Sequence, residues 1–161
     1  MKISYDPAGR LSIESEVCTL RHAAPVINEK PLENASTQAE AGEGGSLRLR
    51  YRAETLEGAE FFVEVEPGPG GSLSLRYGLE GSLPGPLFSF GLKFESIENL
   101  RLYLRNGYNS WDGSFYVQPE AMGEFEPGEE RPETGYAMTQ LLPRSGQGSL
   151  VLGFDRHERF Q

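Results

Sequence analysis

Leu47-Arg48-Leu49-Arg50-Tyr51-Arg52 and Phe61-Phe62-Val63-Glu64-Val65-Glu66 decide the fold class of this chain. In the first run Leu47, Leu49 and Tyr51 alternate with three arginines; in the second Phe61, Val63 and Val65 alternate with Phe62, Glu64 and Glu66. Successive side chains of an extended strand point to opposite faces, so a period of two marks a strand with one buried and one wet face. Two further runs repeat the pattern: Leu73, Leu75 and Tyr77 alternate with Ser74 and Arg76, and Leu100, Leu102 and Leu104 alternate with Arg101, Tyr103 and Arg105. The wet faces of the first two runs carry opposite charge. Either the arginines of 48–52 face Glu64 and Glu66 across a hairpin, or the two rows are independent solvated faces; the pattern leaves both open.

Shorter candidate strands fall at 2–5, 10–17, 87–94, 114–118, 136–142 and 148–154. Turn residues separate them: Asp6-Pro7-Ala8-Gly9, Pro67-Gly68-Pro69-Gly70-Gly71 and Gly81-Ser82-Leu83-Pro84-Gly85-Pro86. About ten short strands at this spacing predict an all-β fold of antiparallel sheets packed as a sandwich. Two segments break the pattern. Residues 28–45, rich in Ala, Glu, Asn and Gly, are expected to form a loop, with one short helical turn near 35–41 as the alternative. Residues 119–135 read as a second long loop with six Glu and one Arg, the kind of connection that is functional or disordered.

The 161 residues are expected to form one domain. Nine Phe, seven Tyr and one Trp supply core area, while Gly 20 and Pro 11 match a turn-rich chain. A net charge of −9 without Lys/Arg clusters argues against nucleic acid and an anionic membrane surface. The single Cys18 excludes an internal disulfide and a cysteine-based metal centre. No apolar leader and no run of transmembrane length is present, so the expected location is the cytoplasm. The last strand pattern runs on to Gln161 with no polar tail, and the chain is expected to be a piece of a longer one.

Chemistry-bearing motifs are few. Gly68 to Gly71 belong to a Pro-rich turn rather than a phosphate-binding loop. No Gly-x-Ser-x-Gly elbow occurs, and the two histidines, His22 and His157, are distant in sequence. In a strand Asp155 and His157 share a face that Glu158 does not, so a structural Asp–His contact is a simpler reading than a metal site. Nothing singles out a catalytic pair from the 24 carboxylates. No catalytic residue, metal or cofactor is expected.

The run Asn106-Gly107-Tyr108-Asn109-Ser110-Trp111-Asp112-Gly113 stands out because it places the only tryptophan among turn residues directly after a strand. An indole in a loop can stack on the C–H face of a pyranose while Asn106, Asn109, Ser110 or Asp112 hydrogen-bond its hydroxyls. Alternatively Trp111 packs on the core and the polar residues satisfy the turn backbone.

Asn106-Gly107-Tyr108-Asn109-Ser110-Trp111 resembles the Asn-x-Trp/Tyr-Gln-Ser-Trp motif in the N-terminal domain of glycoside hydrolase family 36 α-galactosidases. Leu150-Val151-Leu152-Gly153-Phe154-Asp155-Arg156-His157-Glu158-Arg159-Phe160 resembles a later block of that domain. The two blocks cover under a fifth of the chain. The resemblance implies a galactose-mutarotase-like β-supersandwich that braces a downstream (β/α)₈ barrel, where two Asp residues cut the α-galactoside by a retaining mechanism. Such a barrel needs about 250 residues, so this chain by itself would not hydrolyse a glycoside. The resemblance further implies homo-oligomer contacts and a substrate-binding role for Trp111, reaching the galactose subsite, with Asn109 and Asp112 beside it. Asn109 stands where the family has Gln, and Asp112 where it has Ser or Gly; either change alters what the loop holds. The reading that does without a barrel is a stand-alone carbohydrate-binding or structural β-sandwich.

Overall fold

A computed structural model describes residues 1–106, 113–119 and 137–154. Among the described residues there are fourteen strands and three short 3₁₀ turns, with no α-helix. The sheets are antiparallel and none closes into a barrel, so the fold is all-β and in keeping with a β-sandwich, as the alternation predicts. The chain divides into two compact units, one of Met1–Glu14 with Leu20–Ser96, the other of Ser15–Thr19 with the described residues from Ile97 onward.

The first unit holds two sheets. In one, β1 (Lys2–Tyr5), β2 (Leu11–Glu14) and β3 (Thr19–Ile27) lie side by side, and β4 (Lys30–Pro31) and β9 (Phe90–Lys93) pair with β3. The other runs in the order β5 (Ser36–Ala41), β6 (Leu47–Arg52), β7 (Glu60–Pro67), β8 (Leu73–Glu80). In the β6–β7 register Leu47 faces Val65, Leu49 faces Val63 and Tyr51 faces Phe61. All six are buried, as are Leu11, Ile13, Leu20 and Ala23 of the first sheet. Aromatic rings join the two sheets. Phe61 stacks on Tyr77 at 6.2 Å, and Phe90 on β9 meets Phe61 edge-on at 6.5 Å and Tyr77 at 5.9 Å. Such offset and edge contacts add to area burial.

The outer face of the second sheet settles the charge question. Arg48 lies opposite Glu64 and bonds it at 3.1 Å. Arg52 pairs with Glu60, and Glu66 lies opposite Ser74 on β8 rather than an arginine. The rows are therefore cross-strand partners, with Glu60 in the place expected of Glu66. On the same face Gly78 lies opposite Phe62, whose ring would be 2.9 Å from a Cβ at that position. A glycine there gives the ring room to cover a bare stretch of edge strand.

One expectation is corrected, and one strand lay outside the predicted set. Residues 36–41 form neither a loop nor a helical turn. They are β5, paired with β6 from Ser36↔Arg52 to Ala41↔Leu47. Its half-buried positions carry Thr37 and Ala39, too small to register as an apolar alternation, and pairing overrides weak local propensity. The nine-residue β3 was equally hidden. Its buried residues are Leu20, Ala23 and Pro25, because the chain slips by one position at His22, where φ is +52°. A bulge of this kind moves later side chains to the other face and erases the period.

Tyr51 ties the first unit together. Its hydroxyl donates to the Gly9 carbonyl at 2.6 Å in a buried bond. Gly9 ends the predicted Asp6–Gly9 turn at φ +77°, and a Cβ there would lie 2.4 Å from Thr37. Burial, with a smaller contribution from the Asp6 charge, pushes the Tyr51 phenol far above its ordinary value. Desolvation pushes the Asp6 carboxyl up, but bonds from Arg10 and the Ala8 amide outweigh it and hold the carboxyl below the usual range. Tyr51→Phe leaves the Gly9 carbonyl without this donor, and urea unfolding should show a loss of about 1–3 kcal/mol at an unchanged m-value. The phenol's raised value means its contribution is complete below about pH 10 and is lost as pH climbs through the folded value. Wild-type stability should therefore fall in alkali more steeply than that of Tyr51→Phe.

Candidate functional site

The second unit is a four-stranded sheet in the order β12 (Phe115–Val117), β11 (Leu100–Arg105), β13 (Met138–Pro143), β14 (Leu150–Gly153). The short β10 (Ser96–Glu98) precedes it in the chain. Asn99 fixes the entry to β11. Its side-chain amide donates to the carbonyls of Val17 at 2.7 Å and Ser145 at 3.0 Å, and its Oδ1 accepts from the Ser145 amide and hydroxyl. With φ at +62°, Asn99 occupies a conformation that asparagine tolerates better than most residues.

β11 and β12 form the hairpin that carries the Asn106–Gly113 run. Their register pairs Tyr103 with Val117, Leu104 with Tyr116 and Arg105 with Phe115. At its mouth Ser114 Oγ donates to Asn106 Oδ1 at 2.9 Å, and Arg105 Nη1 donates to the Gly113 carbonyl at 3.3 Å. The Arg105 guanidinium also lies 5.5 Å from the centre of the Phe115 ring, a cation–π separation. Trp111, Asn109 and Asp112 lie outside the described residues, as do Asp155, His157, Glu158 and the acidic stretch 120–136.

Arg105 is the residue that sequence reading missed. Strict alternation puts it on the wet face, yet it is only 3% exposed. The register of β11 against β13 shifts between Leu100 and Leu102. That bulge buries both Leu100 and Arg105 and leaves the residues between them at least partly exposed. No periodic signal announces such a shift. The available clue is position: Arg105 immediately precedes Asn106.

Beside the hairpin base is a cavity of about 480 Å³, lined among others by Leu100, Tyr103, Arg105, Leu141, Leu152 and Phe154. Its size is in the range of small-molecule pockets. Its polar groups are largely committed: Thr139 Oγ1 donates to the Leu104 carbonyl at 2.7 Å, and Arg105 holds the hairpin mouth. No carboxylate or histidine is among its described lining residues. Cys18, the chain's single thiol, is buried, and burial pushes its thiol up, the opposite of an activated nucleophile. No group of three or more His, Cys, Asp or Glu among the described residues is placed to hold a metal ion. The described side chains of this site can hold and orient a ligand; they supply no nucleophile–base pair.

Substituting Arg105 tests the hairpin mouth. Arg105→Ala should lower stability by about 2–3 kcal/mol, from a lost bond to a charged donor and a lost ring contact. Amides of β12 should exchange faster with solvent in the variant. Arg105→Lys should fail to restore wild-type behaviour, because a point charge replaces a planar fork. Stability within a few tenths of a kcal/mol of wild type would remove Arg105 from the hairpin's support. No protein-family model, curated protein or solved structure matches this chain.

Proposed function

We propose that this chain is the non-catalytic N-terminal β-sandwich of an α-galactosidase-like glycoside hydrolase. In this reading it braces a downstream barrel, contributes to homo-oligomer contacts in the cytoplasm, and lends Trp111 to the pocket that grips galactose. One observation carries the proposal. The run resembling the family motif, Asn106–Trp111, begins directly after β11 and is followed by β12, its antiparallel partner, so a paired hairpin anchors both ends of it. A binding loop held by rigid strands is the arrangement recognition sites favour. Arg105, Asn106, Gly113 and Ser114 lock the mouth of that hairpin, which keeps the entropic cost of presenting a contact residue low.

In this reading the chain supports the catalytic domain and does no chemistry itself. An indole face and one or two amide or carboxylate groups suffice to orient a hexose, whose bond would be cut by carboxylates of the barrel. The cavity beside the hairpin favours a second reading, a β-sandwich that binds carbohydrate without a catalytic partner. Among the described residues no helix is long and apolar enough to cross a membrane.

The test is the product of the complete reading frame, assayed on an aryl α-galactoside with and without Trp111→Ala. The proposal expects hydrolysis by the wild type and a fall in kcat/KM of about tenfold or more in the variant, at unchanged circular dichroism. Equal kcat/KM in the two proteins would take Trp111 out of the substrate site. Saturable galactose binding by a chain that ends at Gln161 in its gene would favour the second reading.

A further inference from the structure

The two edge strands of the β5–β8 sheet differ. β5 carries Ser, Thr, Gln and Glu among alanines. β8 reads Leu73-Ser74-Leu75-Arg76-Tyr77-Gly78-Leu79-Glu80 and ends the sheet beyond β7. Its pairing with β7 is unbroken from Pro67↔Leu73 to Glu60↔Glu80. The β7–β8 turn shows which backbone groups of β8 face away. The Gly68 amide donates to the Ser72 carbonyl at 2.8 Å. A bond from the residue after Pro67 to the residue before Leu73 makes Pro67–Leu73 a pair that exchanges no bonds of its own. Pro67, without an N–H, suits that kind of pair. Alternation then gives Ser74, Arg76, Gly78 and Glu80 the bonds to β7. It turns the N–H and C=O groups of Leu73, Leu75, Tyr77 and Leu79 away from the sheet. Among the described residues none of these outward groups has a hydrogen-bonding partner. The side chains of the same four residues are half-buried on the inner face, where Tyr77 stacks on Phe61. No proline, lysine or bulge interrupts β8, and these are the usual devices that keep an edge strand unpaired.

We infer that β8 pairs antiparallel with β8 of a second copy of this chain, about a two-fold axis at Tyr77, so that two sheets become one. The strand's own sequence selects this occupant. Residues directly opposite in a sheet share a face, so a self-pairing sets odd positions against odd and even against even. With the axis at Tyr77 the two tyrosines face each other, Leu75 faces Leu79, and Ser74 faces Glu80. Arg76 faces Gly78 and has Glu80 of the other copy as its diagonal neighbour. Apolar residues meet apolar ones and no like charges are opposed, as cross-strand stability requires. An axis at Arg76 would set that arginine against itself, and an axis at Gly78 would leave Ser74 and Leu75 beyond the end of the other β8. Leu75, Tyr77 and Leu79 hold the outward backbone groups, so the chosen axis forms about six hydrogen bonds across the seam. Symmetry repeats each contact on both sides of the axis. One strand pair is a small interface, and the dimer is therefore a weak one that fills as concentration rises. The inference gives the homo-oligomer contacts proposed above a surface, but it stands on the strand edge alone and uses neither the hairpin nor Trp111.

The experiment is sedimentation velocity of the 161-residue chain over rising concentration, at physiological salt to screen the repulsion between two chains of charge −9. The weight-average sedimentation coefficient should climb from the monomer value to the dimer value and stop there. Leu75→Pro removes an outward amide and no bond to β7. It should raise the midpoint concentration about tenfold or more, at the circular dichroism of the wild type. A double variant tests the register independently. Ser74→Cys with Glu80→Cys sets thiols opposite each other at both ends of the seam, while within one copy they lie about 20 Å apart, too far to bridge. Cys18 is buried and stays out of the reaction. Mild oxidation should yield a covalent dimer on a non-reducing gel, and Glu40→Cys, on the β5 edge strand, should remain monomeric. A chain that is monomeric at every concentration, a midpoint unchanged in Leu75→Pro, growth past the dimer, or cross-linking of the double variant no faster than of Glu40→Cys would each overturn the inference. None of these outcomes bears on the α-galactoside assay, so the two proposals fail separately.

Discussion

The β6–β7 hairpin can bury its apolar side chains in one register only. A slip of one residue would turn Leu49, Tyr51, Phe61 and Val63 to solvent and drive arginines and glutamates into the core. That single constraint organises the first unit. It points Tyr51 at the Gly9 carbonyl, places Phe61 between Tyr77 and Phe90, and sets Arg48 against Glu64 on the opposite face. The ion pairs are individually weak because they are half exposed.

The second unit uses different means. Its sheet departs from strict alternation at the Leu100–Leu102 bulge, and the departure is what brings a guanidinium to the mouth of the β11–β12 hairpin. A buried cation that holds a backbone carbonyl and a ring is a costly way to fix a loop unless the loop's position matters. Phe115, Tyr116, Val151 and Phe154 remain exposed in this unit.

Legibility in the sequence followed the size of side chains and the regularity of strands. β6, β7 and β8 were readable because large apolar residues fall on one face without interruption. β5 was not, since Thr37 and Ala39 carry too little apolar bulk to betray a period. β3 escaped because the positive φ at His22 shifts its buried residues from even to odd positions. Arg105 escaped for the same reason as β3, a bulge that local pattern does not encode. The strands on either side of the tryptophan run, β11 and β12, were readable from the patterns at 100–105 and 114–118. The contacts that lock the mouth of their hairpin, between Ser114 and Asn106 and between Arg105 and Gly113, depend on the register of two strands and have no signature of their own.

The proposed function requires that Trp111, which follows β11, present its indole to solvent. Trp111 is the only tryptophan of the 161 residues, so its fluorescence reports on that claim without interference. The direct measurement is acrylamide quenching of tryptophan emission from the folded chain. The account predicts water-like emission, quenched nearly as efficiently as after unfolding in urea. Emission shifted to the blue and shielded from acrylamide until the chain unfolds would show an indole packed inside, and would contradict it.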